Sequence, residues 1–174
     1  MATYGTPGPV YVELTNDILY GKVNASTIEY LPKVVPLPPM ILPDVTVRAI
    51  ISKLQNAKQP LVIVGKGVAY GRAEDVMTSF IHKTNLPFLA TPMGKGVVSD
   101  YDEHSANPAR TFVLQNADVI LLCGARLNWI LHFGLAPRFR SDVEVIQIDS
   151  DPLEMHTNVK SSIPVNGDIL TVLT

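Results

Sequence analysis

Four consecutive aliphatic residues run directly into a glycine-rich turn in the segment Leu61-Val62-Ile63-Val64-Gly65-Lys66-Gly67. A short continuous apolar run is typical of a strand buried on both faces, as in a parallel sheet covered by helices. Glycine after such a strand lets the chain turn tightly into a helix. The stretch therefore predicts one strand and one ligand-facing loop of an α/β fold.

The same alternation of strands and helices continues on both sides of this stretch. Upstream, Asp44 is a candidate N-cap for a helix to about Gln55, with apolar residues at helical spacing. Downstream, the pattern predicts helices over 72–83 and 109–116, strands at 87–90, 119–122, 143–148 and 163–165, loop or short helix over 127–139, and a last helix opening at 166–169. The predicted fold class is α/β, a Rossmann-like parallel sheet with helices on both faces.

The first 43 residues follow a different pattern. Residues 10–14 predict a short strand, and the following stretch has little periodicity and many prolines, which indicates an extended linker. Because an isolated strand needs a sheet to join, we expect the chain to be a piece of a longer protein. The expected organisation is the end of a preceding domain over 1–18, a linker over 19–43, and a nucleotide-binding-like domain over 44–174. The linker prolines are Pro32, Pro36, Pro38, Pro39 and Pro43.

Composition excludes several classes of protein. The chain has 174 residues, of which 47% are hydrophobic and 17% charged, so it is not a disordered polypeptide. Its net charge of −2 shows no basic excess, which argues against nucleic acid as a partner. No apolar run reaches the roughly 20 residues needed to span a bilayer, so no membrane segment is expected. The single cysteine, Cys123, excludes an internal disulfide.

Two predicted loops are rich in glycine and carry a cation. The loop Gly65-Lys66-Gly67 follows the first strand, where glycine permits close approach of a ligand and the next helix can offer its first amides to an anion. Arg126 follows Gly124 in the loop after the strand at 119–122. The alternatives are a simple strand-to-helix turn for the first loop and a surface salt bridge for the arginine.

Two further loops carry an acid at the same edge of the sheet. Asp149 follows the strand at 143–148, where a carboxylate can bind the hydroxyls of a ribose, and its alternative is an N-cap for the residues after Asp151. Asp168 can cap the last helix, and Ile169 can contact an adenine ring. Together the four loops predict a nucleotide-type crevice.

The sequence predicts no catalytic or metal-binding residues in this chain. Its histidines are scattered without a recognised metal-ligand spacing, Cys123 falls within an apolar strand, and the acidic residues of the loop at 100–103 are expected to be solvated. No set of nucleophile, base and orienting group emerges. The histidines are His82, His104, His132 and His156.

Three stretches carry a resemblance to a known family. Residues 57–70, 86–98 and 124–134 resemble the middle domain of the 2-hydroxyacyl-CoA lyases, which are thiamine diphosphate enzymes closely related to the oxalyl-CoA decarboxylases. The resemblance implies a six-stranded Rossmann-like sheet and a three-domain parent, in which residues 1–18 end the pyrimidine-binding domain. It also implies that the ligands of thiamine diphosphate and Mg²⁺ lie outside this chain.

The resemblance also implies binding residues. Nucleotide (ADP) contacts would fall on Lys66, Arg126, Asp149, Asp168 and Ile169. Contacts with the coenzyme A part of the substrate would fall on Asn107, Ala109, Arg110 and Thr111. The family usually has Arg-Pro-Gly where this chain has Thr6-Pro7-Gly8, which implies weaker ADP binding here.

The implied function is that of the parent enzyme: cleavage of a 2-hydroxyacyl-CoA to formyl-CoA and an aldehyde, as in fatty acid α-oxidation. The alternatives are oxalyl-CoA decarboxylation and a non-catalytic module that binds ADP or coenzyme A. An NAD-dependent enzyme fits less well because the full GxGxxG pattern is missing. Expected partners are the CoA ester, the parent's other domains, and copies of the chain in a dimer or tetramer. The resemblance implies a peroxisomal location in a eukaryote and a cytoplasmic one otherwise.

Overall fold

A computed structural model describes residue 2, residues 4–35 and residues 37–174. It divides into two compact units, one ending at Pro38 and the other spanning Pro39–Thr174, and each is considered by itself. In the described residues no helix is long and apolar enough to cross a bilayer.

The first unit contains little regular structure. A one-turn helix α1 spans Asn16–Tyr20, and a 3₁₀ turn spans Ala25–Thr27, where the Asn24 side chain accepts a hydrogen bond from the Ser26 amide at 3.1 Å. The strand predicted over residues 10–14 is wrong: these residues form no strand and pair with none among the described residues. Alternating side chains make a strand only where a neighbour completes the hydrogen bonds. Pro36 of the predicted linker lies outside the described residues.

The second unit is built on a parallel sheet of five strands in the order β2-β1-β3-β4-β5. The predicted α/β class with a parallel sheet is therefore confirmed, while the six strands implied by the resemblance are five in the described residues. Val62 at the centre of β1 lies opposite Phe88 on one side and Leu121 on the other. The strands are β1 (Pro60–Val64), β2 (Phe88–Ala90), β3 (Val119–Cys123), β4 (Glu144–Asp149) and β5 (Ser161–Asn166).

Helices and 3₁₀ turns connect the strands. The helix predicted over 72–83 begins at Glu74 and is preceded by a separate short helix after β1, because Arg72 adopts a left-handed φ of 50° between the two. Asp44 is the first residue of its helix rather than the N-cap, which is Pro43. The helices are α2 (Asp44–Asn56), α3 (Lys66–Tyr70), α4 (Glu74–Thr84), α5 (Arg110–Asn116) and α6 (Ile169–Leu173). The 3₁₀ turns are Asn107–Ala109, Trp129–Gly134 and Pro152–Glu154.

The sheet is buried on both faces, as its continuous apolar strands predict. Side chains alternate along each strand, so Val62 and Val64 face one core and Leu61 and Ile63 face the other. The first core also takes residues from α2, α3, α4 and α6, whereas the second is closed by α5 and by the segment around Leu131. The loops at the carboxyl ends of the strands lie outside both cores and form the rim of the sheet.

Candidate functional site: the crevice at the carboxyl ends of the strands

The strand order makes the carboxyl ends of β1 and β3 the switch point of the sheet, and the loops at this edge are together called the crevice. After β1 the chain runs to β2 on one side, and it then crosses to β3 on the other side of β1. The loops that follow β1 and β3 therefore diverge at this point, which is where parallel α/β sheets bind ligands. The loops concerned are the predicted ones, at Gly65–Gly67 and at Gly124–Arg126.

These two loops pack backbone against backbone. The Gly65 amide donates to the Cys123 carbonyl at 2.9 Å, and the Gly67 amide donates to the Gly124 carbonyl at 3.0 Å. A Cβ on Gly65 would lie 2.1 Å from the Gly124 oxygen. These glycines are thus required for contact between the loops. The expectation that α3 offers its first amides to an anion is not met at Gly67, whose amide is already bonded within the protein.

The crevice gathers a cluster of opposite charges. Arg126 Nε forms an ion pair with Glu154 Oε1 at 2.6 Å, and Glu154 is largely buried. Burial raises the pKa of Glu154, the charges of Arg126 and Lys66 lower it, and Asp149 and Asp151 raise it. Lys66, Arg126 and Asp149 therefore all act on Glu154 electrostatically, and their contacts with a nucleotide stay predictions. The structure adds Glu154, which sequence reasoning missed because the 3₁₀ turn that carries it had no recognisable pattern.

Asp149 has an environment unlike that of a solvated carboxylate. Its side chain is 8% exposed, and its Oδ1 accepts a hydrogen bond from the Asp151 amide at 2.9 Å. Burial raises the pKa of Asp149 above its ordinary value, while that hydrogen bond and Arg126 act in the opposite direction. The N-cap role that competed for Asp149 belongs to Asp151, whose side chain accepts from the Leu153 amide. A poorly solvated carboxylate gains from additional donors such as hydroxyl groups.

The loop after β5 has a structural role of its own. Asp168 caps α6 by accepting from the Thr171 amide at 2.9 Å and from the Thr171 hydroxyl at 3.0 Å, which confirms the predicted cap. Ile169 is 3% exposed and packs against Gly124, where a Cβ would lie 2.7 Å from its Cδ1. Both residues therefore support the crevice loops. Their predicted contacts with adenine stay predictions.

The segment predicted to contact coenzyme A lies next to the crevice and is held by hydrogen bonds to neighbouring segments. Asn107 accepts from the Ala90 amide at 3.0 Å, at the carboxyl end of β2. The Arg110 guanidinium donates to the Ile130 carbonyl at 3.2 Å, while Ala109 and Thr111 are exposed. Two of the four predicted residues thus carry structural hydrogen bonds and two face solvent, and their contacts with coenzyme A stay predictions.

Exposed aromatic side chains follow β3. Trp129 is 71% exposed and Phe133 is 45% exposed. His132 and Phe133 have left-handed φ values of 48° and 57°, which residues other than glycine rarely adopt. Asn128 fixes the start of this turn by accepting from the Ile130 amide at 3.0 Å. The turn therefore presents apolar rings in an unusual backbone conformation beside the crevice.

Cys123 lies buried in the core, whereas two of the histidines lie close to one carboxylate. Complete burial raises the pKa of Cys123 to about 12, so it is an inert core thiol, as predicted. The prediction that the histidines are scattered is wrong for two of them. His82 Nε2 lies 2.7 Å from Asp102 Oδ2, and His104 Nδ1 lies 2.8 Å from Asp102 Oδ1. Sequence spacing does not indicate this pairing, because α4 brings His82 to a loop 20 residues away.

Comparison with known proteins gives consistent matches over nearly the whole chain. Residues 47–174 match the central domain of thiamine pyrophosphate enzymes. The chain is similar to 2-hydroxyacyl-CoA lyase 1 of Mus musculus (47% identity over 166 residues) and of Homo sapiens (45% over 169), covering 95% and 97% of this chain. It is also similar to oxalyl-CoA decarboxylase of Escherichia coli strain K12, at 40% identity over 167 residues and 95% of the chain. In each case it spans 29% of the relative's length.

Proposed function

Because this chain belongs to the family of thiamine pyrophosphate enzyme central domains, we propose that it is the middle part of a 2-hydroxyacyl-CoA lyase. The whole enzyme would cleave the bond between the acyl carbonyl carbon and the hydroxyl-bearing carbon, giving formyl-CoA and an aldehyde. The observation that carries this proposal is the 47% and 45% identity to lyases, against 40% to a decarboxylase. The proposed organisation keeps 1–18 as the end of a pyrimidine-binding domain, 19–43 as a linker and 44–174 as the central domain.

Thiamine diphosphate, bound with Mg²⁺, would supply the carbanion chemistry of the whole enzyme. We propose that the residues holding both lie outside this chain. Mg²⁺ demands an octahedral set of oxygen ligands. In the described residues, the side chains found close enough to share a metal ion are His82, Asp102 and His104, and two imidazoles among three ligands do not suit Mg²⁺. The isolated chain should therefore be inactive.

The proposed role of this chain is to bind a nucleotide part, either free ADP or the ADP portion of coenzyme A. Lys66 and Arg126 would meet its phosphates, and Asp149 would accept from ribose hydroxyls. Arg126 is now paired with Glu154, so phosphate binding would exchange one anionic partner for another. Asp168 and Ile169 would border the adenine.

Substrate and subunit contacts are proposed beside this crevice. Arg110 and Thr111 open α5, where a cation and a hydroxyl suit a phosphate of coenzyme A. The exposed rings of Trp129 and Phe133, together with Lys95, would face other domains of the parent or other subunits of a dimer or tetramer. In a eukaryote we expect a peroxisomal location, and otherwise a cytoplasmic one.

The test uses the whole protein that contains this chain. It is incubated with thiamine diphosphate, Mg²⁺ and either a 2-hydroxyacyl-CoA or oxalyl-CoA, and formyl-CoA is measured together with aldehyde or carbon dioxide. The proposal expects aldehyde from the first substrate. Carbon dioxide from oxalyl-CoA alone would favour the decarboxylase, which the 40% identity keeps as the second candidate. No turnover of either substrate, with ADP still bound, would favour a non-catalytic module.

A further inference from the structure

The strongest unassigned feature is the cluster formed by His82, Asp102 and His104, at the carboxyl end of α4. One carboxylate lies between two imidazoles, with Asp102 oxygens 2.7 Å from His82 Nε2 and 2.8 Å from His104 Nδ1. The three ligand atoms lie within 4.8 Å of one another. Two imidazole nitrogens and a carboxylate form a donor set that Zn²⁺ prefers in proteins.

The ring of His104 is oriented in the way that a metal-binding histidine requires. Its Nε2 lies 3.2 Å from the Asn85 side-chain oxygen, while its Nδ1 faces Asp102. A neutral imidazole carries one N–H, and the tautomer that donates from Nε2 to Asn85 presents the Nδ1 lone pair to a cation held beside the Asp102 carboxylate. A cation that binds here replaces the proton that His104 Nδ1 otherwise shares with Asp102. Histidine ligands commonly donate their second ring N–H to an oxygen in this way.

The end of α4 adds a favourable field for a cation. His82 lies in the last turn of this 11-residue helix, and Asn85 is its C-cap with a left-handed φ of 53°. The carbonyl end of a helix carries a partial negative charge. Asp102 is 11% exposed and is held by hydrogen bonds from both rings and from the His104 amide.

We propose that His82 Nε2, the Asp102 carboxylate and His104 Nδ1 form a binding site for a divalent cation of the zinc class, with water as a further ligand. Zinc–ligand distances of about 2.0–2.1 Å in a tetrahedral site separate the ligands by roughly 3.3 Å. The ligand atoms therefore move apart by about half an ångström on binding. His82 can supply this movement, because its side chain is 53% exposed.

The bound ion would join the end of α4 to the loop that leads to α5. This loop is already anchored next to β2, where the Phe88 amide donates to the His104 carbonyl at 3.0 Å. It continues to Asn107, whose side chain holds the carboxyl end of β2. A cation at Asp102 would therefore stabilise the loop that positions the proposed coenzyme A segment.

The test measures Zn²⁺ binding to the untagged chain after treatment with a chelator. Calorimetric titration should show saturation at about one Zn²⁺ per chain. His82→Ala, at an exposed position, and His104→Ala should each weaken Zn²⁺ binding at least tenfold. Asn85→Gly keeps the left-handed cap and removes the outer hydrogen bond, so it should weaken binding by roughly 10- to 100-fold.

Controls separate this site from non-specific binding. His132→Asn removes an imidazole elsewhere in the chain, at a position where asparagine tolerates the left-handed backbone, and should leave Zn²⁺ affinity unchanged. Co²⁺ added to the native chain should give the intense visible absorption of a tetrahedral site, and His82→Ala should abolish it. Equal Zn²⁺ affinity in the native chain and in His82→Ala would overturn the proposal and leave a hydrogen-bonded carboxylate–histidine network.

Discussion

Two loop regions of the second unit are held in opposite ways. The loops after β1 and β3 meet through backbone atoms, with Gly65 and Gly67 bonded to Cys123 and Gly124 and no room for side chains. The loop before α5 is held by side chains, through the contacts of Asp102 with His82 and His104. The first kind of contact tolerates almost no added volume. The second depends on a few polar groups that can be removed without a steric clash.

The largest effect should come from adding one methyl group to the backbone contact. In Gly65→Ala the new Cβ would lie 2.1 Å from the Gly124 oxygen, so β1 and β3 must shift apart at their ends. We expect a loss of more than about 3 kcal/mol in the free energy of unfolding, measured by chemical denaturation. Gly8→Ala is the control, since nothing lies within 4 Å of its added Cβ and its effect should be below about 0.5 kcal/mol. A Gly65→Ala chain as stable as the control would refute the close packing of the two loops.

A smaller effect is expected in the loop held by side chains. Asp102→Ala removes three hydrogen bonds, from two imidazoles and one amide, and adds no clash. We expect a loss of about 1–3 kcal/mol in the presence of a chelator, smaller than for Gly65→Ala. Glu103→Ala is the matched control, because Glu103 is an exposed acid of the same loop. Equal losses in the free energy of unfolding for Asp102→Ala and Gly65→Ala would show that the two regions do not differ in how they are held.

The smallest effect concerns the buried carboxylate of the crevice and depends on pH. Because burial raises the pKa of Asp149, the unfolded chain releases this proton at lower pH than the folded chain. Ionisation of Asp149 therefore lowers stability as pH rises from below its unfolded pKa to above its folded pKa. Asp149→Asn keeps an oxygen for the Asp151 amide and removes the charge.

We thus expect Asp149→Asn to be slightly more stable than the native chain at neutral pH. The difference should disappear in acid, below both pKa values, when the native carboxyl is protonated in both states. Chemical denaturation of both chains across this pH range is the measurement. A stability difference that is independent of pH would show that ionisation of Asp149 does not change the free energy of unfolding.

The sequence predicted the features that depend on local pattern. Four apolar residues ending at Val64 and four ending at Leu122 specified buried parallel strands, and the glycines after them marked the crevice. The family resemblance was confirmed because it rested on long stretches of residues. The strand predicted at residues 10–14 failed, since a local alternation cannot supply the neighbour that a strand needs.

Features created by tertiary contact were missed. Glu154 pairs with Arg126 across 28 positions of sequence, and His82 reaches Asp102 only because α4 ends beside that loop. The roles of the glycines were also misjudged. Gly67 was interpreted as a residue that lets a ligand come close to the backbone. Its amide instead donates to the Gly124 carbonyl of the protein. Spacing in sequence carries no information about such pairings until the topology is known.

Titration of ADP into the native chain and into Asp149→Ala tests the crevice most directly. The variant loses charge-assisted hydrogen bonds to the ribose, so ADP binding should weaken at least tenfold, or about 1.4 kcal/mol. Thr171→Val removes one hydrogen bond to the cap residue Asp168, keeps the Thr171 amide bond and leaves Asp149 in place, so it is a control for general loosening of the crevice. A nucleotide site in this crevice requires saturable ADP binding that Asp149→Ala weakens and Thr171→Val preserves. Equal ADP binding by the native chain and Asp149→Ala, or no binding by either, would contradict it.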